Sequence, residues 1–385
     1  MDIKRDLDLT KLLKKKSFFL FGPRATGKST LIRQSGLQPA LSIDLLDSEY
    51  YLRLQSRPNS LESFHPKGVL SATDLVVIDE VQKVPALLDE VHRLLELRKC
   101  RFLLTGSSAR KLKRGQANLL AGRAWTAELF PLTFHEIPNF DLGRYLRFGG
   151  LPGVYLSGDP QEELKAYTNT YLKEEILSEG LVRKLPQFVR FLKVASLSNS
   201  QQIIFSKVGS DAEVSASTVR DYFSILSDTM LGFTLEPWRE SKKRKSVAAA
   251  KFYFFDTGVY HALLGTTTLN PNTDVWGTSF EHFIAMELKA YLSYQRLDYP
   301  MHYWRTESQF EVDFLVGEEC AIEVKATEKV TDKHLKGLRA LREENVFKKY
   351  YIISQDPIAQ TVDGIRCLPW KQFLCELWGG GVITA

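Results

Sequence analysis

Cysteine is scarce and scattered. Cys100, Cys320, Cys367 and Cys375 are the four in 385 residues, and no two form a Cys-x-x-Cys pair. That excludes a thiolate zinc cassette and a dense disulfide framework, and it leads us to expect free thiols in a cytoplasmic compartment. Long apolar runs are also missing. The first, Phe18–Phe21, ends at a glycine turn, and none approaches the ~18 residues of a membrane span or the core of a leader peptide. No membrane association is therefore expected. The seven histidines show no paired ligand spacing, and no Ser/His/Asp or Cys/His nucleophilic set is legible. Internal repeats and low-complexity tracts are absent. Charge of one sign is modest: 51 Lys and Arg against 46 Asp and Glu give +5. This permits an anionic partner without demanding one.

What remains is an ordinary globular composition, 44% hydrophobic and 25% charged. The length suggests roughly two to three domains. Up to about residue 135, short apolar runs (Phe18–Phe21, Leu75–Ile78, Phe102–Leu104) alternate with polar helical stretches, as buried parallel strands between helices do. A mostly helical stretch follows to about 265. From about 275 a long helix, Thr278 to Tyr294, leads into a hairpin and then a further helix and strand.

Gly22-Pro23-Arg24-Ala25-Thr26-Gly27-Lys28-Ser29 fits the GxxxxGK[ST] phosphate loop, between a strand (Ser17–Phe21) and a helix opening at Thr30. Glycines let successive N–H groups converge on phosphate oxygens, and the helix N-terminus adds positive potential. Lys28 would reach the β- and γ-phosphates of ATP, and the Ser29 hydroxyl would ligate Mg²⁺. Leu75-Val76-Val77-Ile78-Asp79-Glu80 is a strand ending in two carboxylates. Asp79 would hold Mg²⁺ and Glu80 would activate the attacking water. A third strand, Arg101–Leu104, runs into Thr105-Gly106-Ser107-Ser108. Ser107 either stands near the γ-phosphate or caps the next helix. Arg123, in Leu120-Ala121-Gly122-Arg123, is either an arginine finger, in cis or in trans, or a solvated side chain.

These pieces resemble the AAA+ class of P-loop ATPases. The wording "FGPRATGKST", "LVVIDEVQKVP", "LLTGSSARKL", "LAGRA" and "YLRFGGLPGVYL" (Tyr145–Leu156) resembles a bacterial and archaeal branch of that class, with an AAA_14-type P-loop domain and a C-terminal DUF4143 domain. The resemblance covers essentially the whole chain. It implies ring-forming homo-oligomers, a hexamer first among them, because the finger arginine comes from a neighbour.

Gln187 to Leu226 reads as short helices. A turn at Gly209 and a polar-starting helix from Ser215 fit a helix-turn-helix. Strands Phe233–Trp238 and Lys251–Phe255 would form a wing. Between them Arg239–Lys245 carries five cations and one carboxylate. At a wing tip such a run lies against phosphates; otherwise it is a solvated loop. The family resemblance, in which a winged-helix segment follows the ATPase, favours DNA as partner. Lys14–Lys16 and Arg110–Arg114 read as solvated charge, with a pore or interface loop as the other reading of the second run.

In Gln309–Val316 the even positions are apolar and Glu311 and Asp313 share the other face. After Gly317-Glu318-Glu319 the return strand Cys320–Ala326 places Glu323 and Lys325 likewise. The hairpin would gather four charged groups on one face. Oxygen ligands on neighbouring strands suit Mg²⁺ or Mn²⁺. Glu281, on the long helix, could add a carboxylate. Glu281, Asp313 and Glu323-Val324-Lys325 resemble the PD-(D/E)XK nuclease superfamily, whose frequent Gln-x-x-x-Tyr on the next helix is absent here. The resemblance implies metal ligands Glu281, Asp313 and Glu323 and a water-activating Lys325.

The expectation is thus an α/β chain in three parts: a P-loop AAA+ ATPase domain (1–138), a winged-helix middle domain (139–268) and a restriction-endonuclease-like α/β domain (269–385). It would bind and hydrolyse ATP with Mg²⁺, bind DNA, and cleave it under ATPase control. Otherwise it would be an ATP-controlled DNA-binding switch or scaffold with an inactive nuclease-like domain.

Overall fold

The computed structural model describes residues 3–107, 120, 122–172, 176 and 184–384. The chain forms two compact units, one of Met1–Phe130 with Asp228–Leu231, the other of Pro131–Ser227 with Gly232–Ala385.

The first unit is a parallel sheet of β1 (Ser17–Phe21), β2 (Leu41–Asp44), β3 (Leu75–Asp79), β4 (Arg101–Gly106) and β5 (Ala124–Glu128), in the order β2-β3-β4-β1-β5. Both faces are covered, so β1 is buried along its whole length, which is why it reads as an unbroken apolar run. Phe19, Ile43, Val76, Ile78 and Leu104 meet in the core. The insertion of β4 between β1 and β3 sets the site. The ends of β1 and β3, far apart in sequence, flank the end of β4 and share one edge of the sheet.

The second unit carries a nine-stranded sheet. Its strands are β6 (Gln201–Gln202), β7 (Gly232–Pro237), β8 (Lys251–Phe254), β9 (Met301–Arg305), β10 (Glu311–Val316), β11 (Cys320–Lys325), β12 (Lys349–Ser354), β13 (Gln360–Val362) and β14 (Ile365–Pro369). The order is β13-β14-β12-β11-β10-β9-β7-β8-β6. The β10–β11 hairpin is antiparallel, with Leu315 opposite Ala321. The long helix, Asp274–Tyr294, is capped by the Thr273 side chain and packs on β11.

Two features differ from the sequence reading. Gly209 is not the turn. It lies within the helix Phe205–Ala212, where a Cβ would come 2.7 Å from the Val214 carbonyl oxygen. The turn residue is Glu213, with φ +56°. The next helix, Ala216–Asp228, begins after Ser215, whose Oγ accepts the Thr218 N–H. The hairpin β7–β8 does not stand free either. β7 also pairs in parallel with β9, so the hairpin is interior to the large sheet. The 268/269 boundary falls inside the second unit, whose sheet takes strands from both sides of it.

The "FGGLPG" glycines have a packing reason. The buried Asp256 carboxylate accepts the N–H groups of Gly150 and Val259, and a Cβ on Gly149 would meet its oxygen at 2.0 Å.

Candidate functional site

Both ends of the phosphate loop are fixed by backbone geometry. A Cβ on Gly22 would lie 2.5 Å from the Leu129 carbonyl oxygen, so only glycine lets the loop leave β1 against β5. Gly27 takes φ +93° as the N-cap of the helix Lys28–Gln34, a conformation in which a side chain is strained. Thr26 is buried, and its hydroxyl donates to the Pro23 carbonyl at 2.8 Å. Behind the loop, Arg5 donates to the carbonyls of Thr26 (2.8 Å) and Phe130 (2.6 Å). The Lys28 ammonium donates to the Gly22 and Pro23 carbonyls at 2.7 and 3.2 Å. A cavity of about 190 Å³ opens between Arg24, Ala25, Gly27, Lys28, Ser29, Thr30 and Glu80.

Across the sheet edge Ser29 Oγ donates to Asp79 Oδ2 at 2.8 Å. The other Asp79 oxygen accepts the Thr105 hydroxyl, and the Glu80 N–H reaches Thr105 Oγ1 at 3.2 Å. Glu80 stands at φ +58°, off the end of β3. Gln82 donates to its carboxylate at 2.5 Å and to Ser107 Oγ at 3.3 Å. A hydroxyl and a carboxylate side by side at a phosphate loop fit a hydrated Mg²⁺. Gln82 escaped the sequence reading, and Thr105 lies in the polar stop of β4 from which that reading singled out Ser107. Ser107 is buried against Gln82.

Arg123 is a correction. It precedes β5, which runs parallel to β1 with Ala124 opposite Ser17. The phosphate loop leaves the far end of β1, one strand length or roughly 13 Å away. Arg123 instead pairs with Glu96. The fold closes a cis role to it and leaves only a trans one. Ser108, Ala121 and the Arg110–Arg114 run lie outside the described residues.

In the second unit the basic run is largely tied down. Arg244 donates to the Ala340 carbonyl and pairs with Glu343 at 2.9 Å. Lys245 pairs with Glu307, and Glu344 accepts the backbone N–H groups of Lys242 and Lys243. The Lys242 and Lys243 side chains are exposed. Tyr303 and Trp304 are wholly buried, hence core rather than stacking platforms. His282, beside Glu281, is also core: its Nε2 donates to the Phe254 carbonyl at 2.6 Å and its Nδ1 takes Asn199.

The structure brings Glu281, Glu311, Asp313, Glu323 and Lys325 into one cluster, and adds a residue that the sequence reading did not place there. Lys251 opens β8, and its ammonium lies 2.8 Å from Glu311, 3.2 Å from Glu281 and 3.6 Å from Asp313. Tyr253, two residues on, donates to Glu281 at 2.6 Å. Asp313 Oδ2 accepts the Val324 N–H at 2.8 Å, and Lys325 pairs with Glu323 at 2.5 Å. Glu323 Oε2 is buried without a hydrogen-bond partner. Burial lifts the Glu281 carboxyl to about 7 against the pull of Lys251, and lifts Glu323 well above the usual range, with Asp313 adding to it. Burial opposes the Lys251 charge, but the surrounding acids outweigh it and hold its pKa above the ordinary lysine value. With an ammonium among three of its acids, the cluster as built does not fit a divalent ion. Among the described residues no three acid, histidine or cysteine side chains stand in metal-holding geometry. Lys251 opens the otherwise aromatic strand Lys251-Phe252-Tyr253-Phe254, and its local sequence alone does not set it apart from a solvated lysine.

Residues 14–138 match the AAA domain model, 139–270 a domain of unknown function (DUF8612), and 276–373 a domain of unknown function (DUF4143). An uncharacterized protein of Mycobacterium tuberculosis is 27% identical over 80% of this chain and 70% of its own. One from Methanocaldococcus jannaschii is 23% identical over 82% and 75%, and one from Haemophilus influenzae 24% over 76% and 78%. Two solved structures align at low score. The Aeropyrum pernix ORC1 protein in complex with DNA has a TM-score of 0.27 at 13% identity, over 68% of this chain and 92% of its own. A signal transduction ATPase with numerous domains from Pyrococcus horikoshii has 0.24 at 15%, over 76% and 47%. At those scores neither likeness bears on fold or function. Among the described residues no helix is long and apolar enough to cross a membrane.

Proposed function

We propose that this chain, which joins an AAA P-loop domain to a DUF4143 domain, is an ATP-hydrolysing switch that binds DNA. The observation that carries the reading is the bridge from Ser29 to Asp79 at 2.8 Å beside the Lys28 loop. Bound Mg²⁺ would neutralise phosphate charge and activate the terminal phosphoryl group toward attack. The loop N–H groups and Lys28 would bind the phosphates. Ser29 and Asp79 would hold the ion. Glu80, oriented by Gln82, would take a proton from the attacking water. Neighbouring copies of the chain would form a ring, a hexamer first among the candidates, with Arg123 offered in trans.

DNA binding rests on thinner support: the helix pair Phe205–Ala212 and Ala216–Asp228, and the exposed Lys242 and Lys243. The outward face of the second helix bears Ser217, Arg220, Asp221, Ser224 and Asp228, with one cation against two carboxylates. A modest, salt-sensitive affinity is therefore expected.

A second reading, DNA cleavage at the carboxylate cluster with Mg²⁺ or Mn²⁺, draws support from the gathering of Glu281, Asp313, Glu323 and Lys325. Lys251 among the acids weighs against it and favours the switch. The test is Mg²⁺-dependent ATP hydrolysis by the full chain, with DNA affinity measured with and without ATP across salt. Hydrolysis abolished in Glu80→Gln and DNA affinity changed by ATP supports the switch. No hydrolysis by the wild type would remove it, and no DNA binding even at low salt would make the chain a signalling ATPase for a protein partner.

A further inference from the structure

Three elements bring four acids together in the second unit: Glu281 from the long helix, Glu311 and Asp313 from β10, and Glu323 from β11. Two of the four, Asp313 and Glu323, are buried with side chains 6% and 7% accessible. Acids packed so closely cannot all ionise in a protein interior without cations among them. Lys325 serves Glu323. Arg305 stands 3.6 Å from Glu311, and a buried cation comes from further along the sheet order: β8 stands three places from β10, yet the Tyr253 ring lies 6.1 Å from that of Phe314. Lys251 thus reaches Glu311, Glu281 and Asp313 together, with its own side chain 4% accessible.

Four of the six carboxylate oxygens of Glu281, Asp313 and Glu323 are engaged. Asp313 Oδ1 faces the Lys251 ammonium and Oδ2 takes the Val324 N–H. Glu281 Oε1 takes both Lys251 and Tyr253. Glu323 Oε1 takes Lys325, and Oε2 is the buried atom without a partner. A divalent ion on Asp313 and Glu281 would stand about 2.0–2.6 Å from their oxygens. That is the space the ammonium fills, and two cations so close repel strongly.

We propose that Lys251 is a tethered cation filling the carboxylate cluster in place of a divalent metal, so that Mn²⁺ or Mg²⁺ enters only when Lys251 is withdrawn or removed. The orphaned Glu323 Oε2 is then the oxygen left for the incoming ion. Because Lys251 sits on β8 and not on the acid-bearing elements, withdrawal of its side chain opens the cluster while the acids keep their places. The inference deepens the reading of the cluster given above and is independent of ATP hydrolysis and DNA binding: Lys28→Ala leaves its outcome unchanged.

The test is a Mn²⁺ titration of nucleotide-free full-length chain, following free Mn²⁺ by electron paramagnetic resonance. Wild type, Asp313→Asn, Lys251→Met and Lys251→Met with Asp313→Asn are compared. Lys251→Gln runs alongside as a variant that keeps a hydrogen-bond donor without the charge. The expected result is no Asp313-dependent site in the wild type. One Mn²⁺ per chain should then appear in a folded Lys251 variant, bound about a hundredfold or more tighter, the scale set by a like charge some 4 Å away. It should vanish when Asp313→Asn is added. A wild-type site abolished by Asp313→Asn, or folded Lys251→Gln or Lys251→Met gaining no site, would overturn the proposal.

Discussion

The two lysine-and-carboxylate sites of this chain are built from the same residue types and reach opposite states. Lys28 donates to two backbone carbonyls, while Asp79 faces a serine and a threonine hydroxyl. Lys251 and Lys325 are spent on four carboxylates, of which Asp313 and Glu323 are buried. A lysine held by peptide dipoles can exchange them for phosphate at small cost. A lysine held by full charges in a low dielectric cannot, because leaving strands several uncompensated anions. Whether a cluster of acids is ready for a metal therefore depends less on the acids than on which cation the fold already supplies.

The contrast can be broken most severely at the phosphate loop. Lys28→Ala removes the cation that would follow the phosphates, and ATP turnover should fall about a hundredfold or more, read in a steady-state phosphate-release assay. An unchanged rate would place ATP chemistry elsewhere. Glu80→Gln should cost a similar factor in kcat with nucleotide binding retained. Gln82→Ala, which only loosens Glu80, should cost about tenfold in kcat with KM little moved. Equal loss in binding and turnover would mean Gln82 is merely structural. In the second unit Lys251→Met should lower stability by about 3–5 kcal/mol, since Glu281 and Asp313 lose their cation and Glu311 keeps only Arg305. Adding Glu281→Gln should return part of it. Urea denaturation measures both, and a neutral Lys251→Met would contradict the burial argument.

A further effect concerns pH. His261 is buried between Ser279 and Thr266, and burial lowers its pKa from 6.5 to about 3. The unfolded chain protonates this ring first, so its contribution is full above 6.5 and is lost as pH falls from 6.5 toward 3. The slope is at most about 1.4 kcal/mol per pH unit. His261→Asn should flatten the stability profile in that window; an identical slope would mean that His261 is protonated in the folded protein.

Much of the first unit was legible because buried parallel strands announce themselves as apolar runs, and the phosphate loop constrains its own geometry. Ser17–Phe21 is β1 residue for residue, and the strand read over Leu75–Glu80 runs one residue past the end of β3. Strand order was not legible, and that decided Arg123: only the parallel pairing of β5 with β1 reveals that it stands at the wrong edge. Gly209 misled because packing against Val214 uses a glycine inside a helix, while Glu213 accepts the left-handed turn that propensity assigns to glycine. The acids of the β10–β11 hairpin were legible from alternation, since a period of two fixes which side chains share a face. Lys251 was not, because its partners lie 30 or more residues away on other elements, and nothing local distinguishes a strand-opening lysine from a solvated one.

One measurement tests the contrast most directly. Purified protein is incubated with supercoiled plasmid, Mn²⁺ and ATP, and ATP consumption and nicking are followed in the same tube for wild type, Lys28→Ala and Lys325→Ala. The prediction is ATP consumed by wild type and by Lys325→Ala, none by Lys28→Ala, and plasmid left supercoiled by all three. Nicking by the wild type that disappears in Lys325→Ala would contradict it, and would show the carboxylate cluster to be open to metal with Lys251 in place.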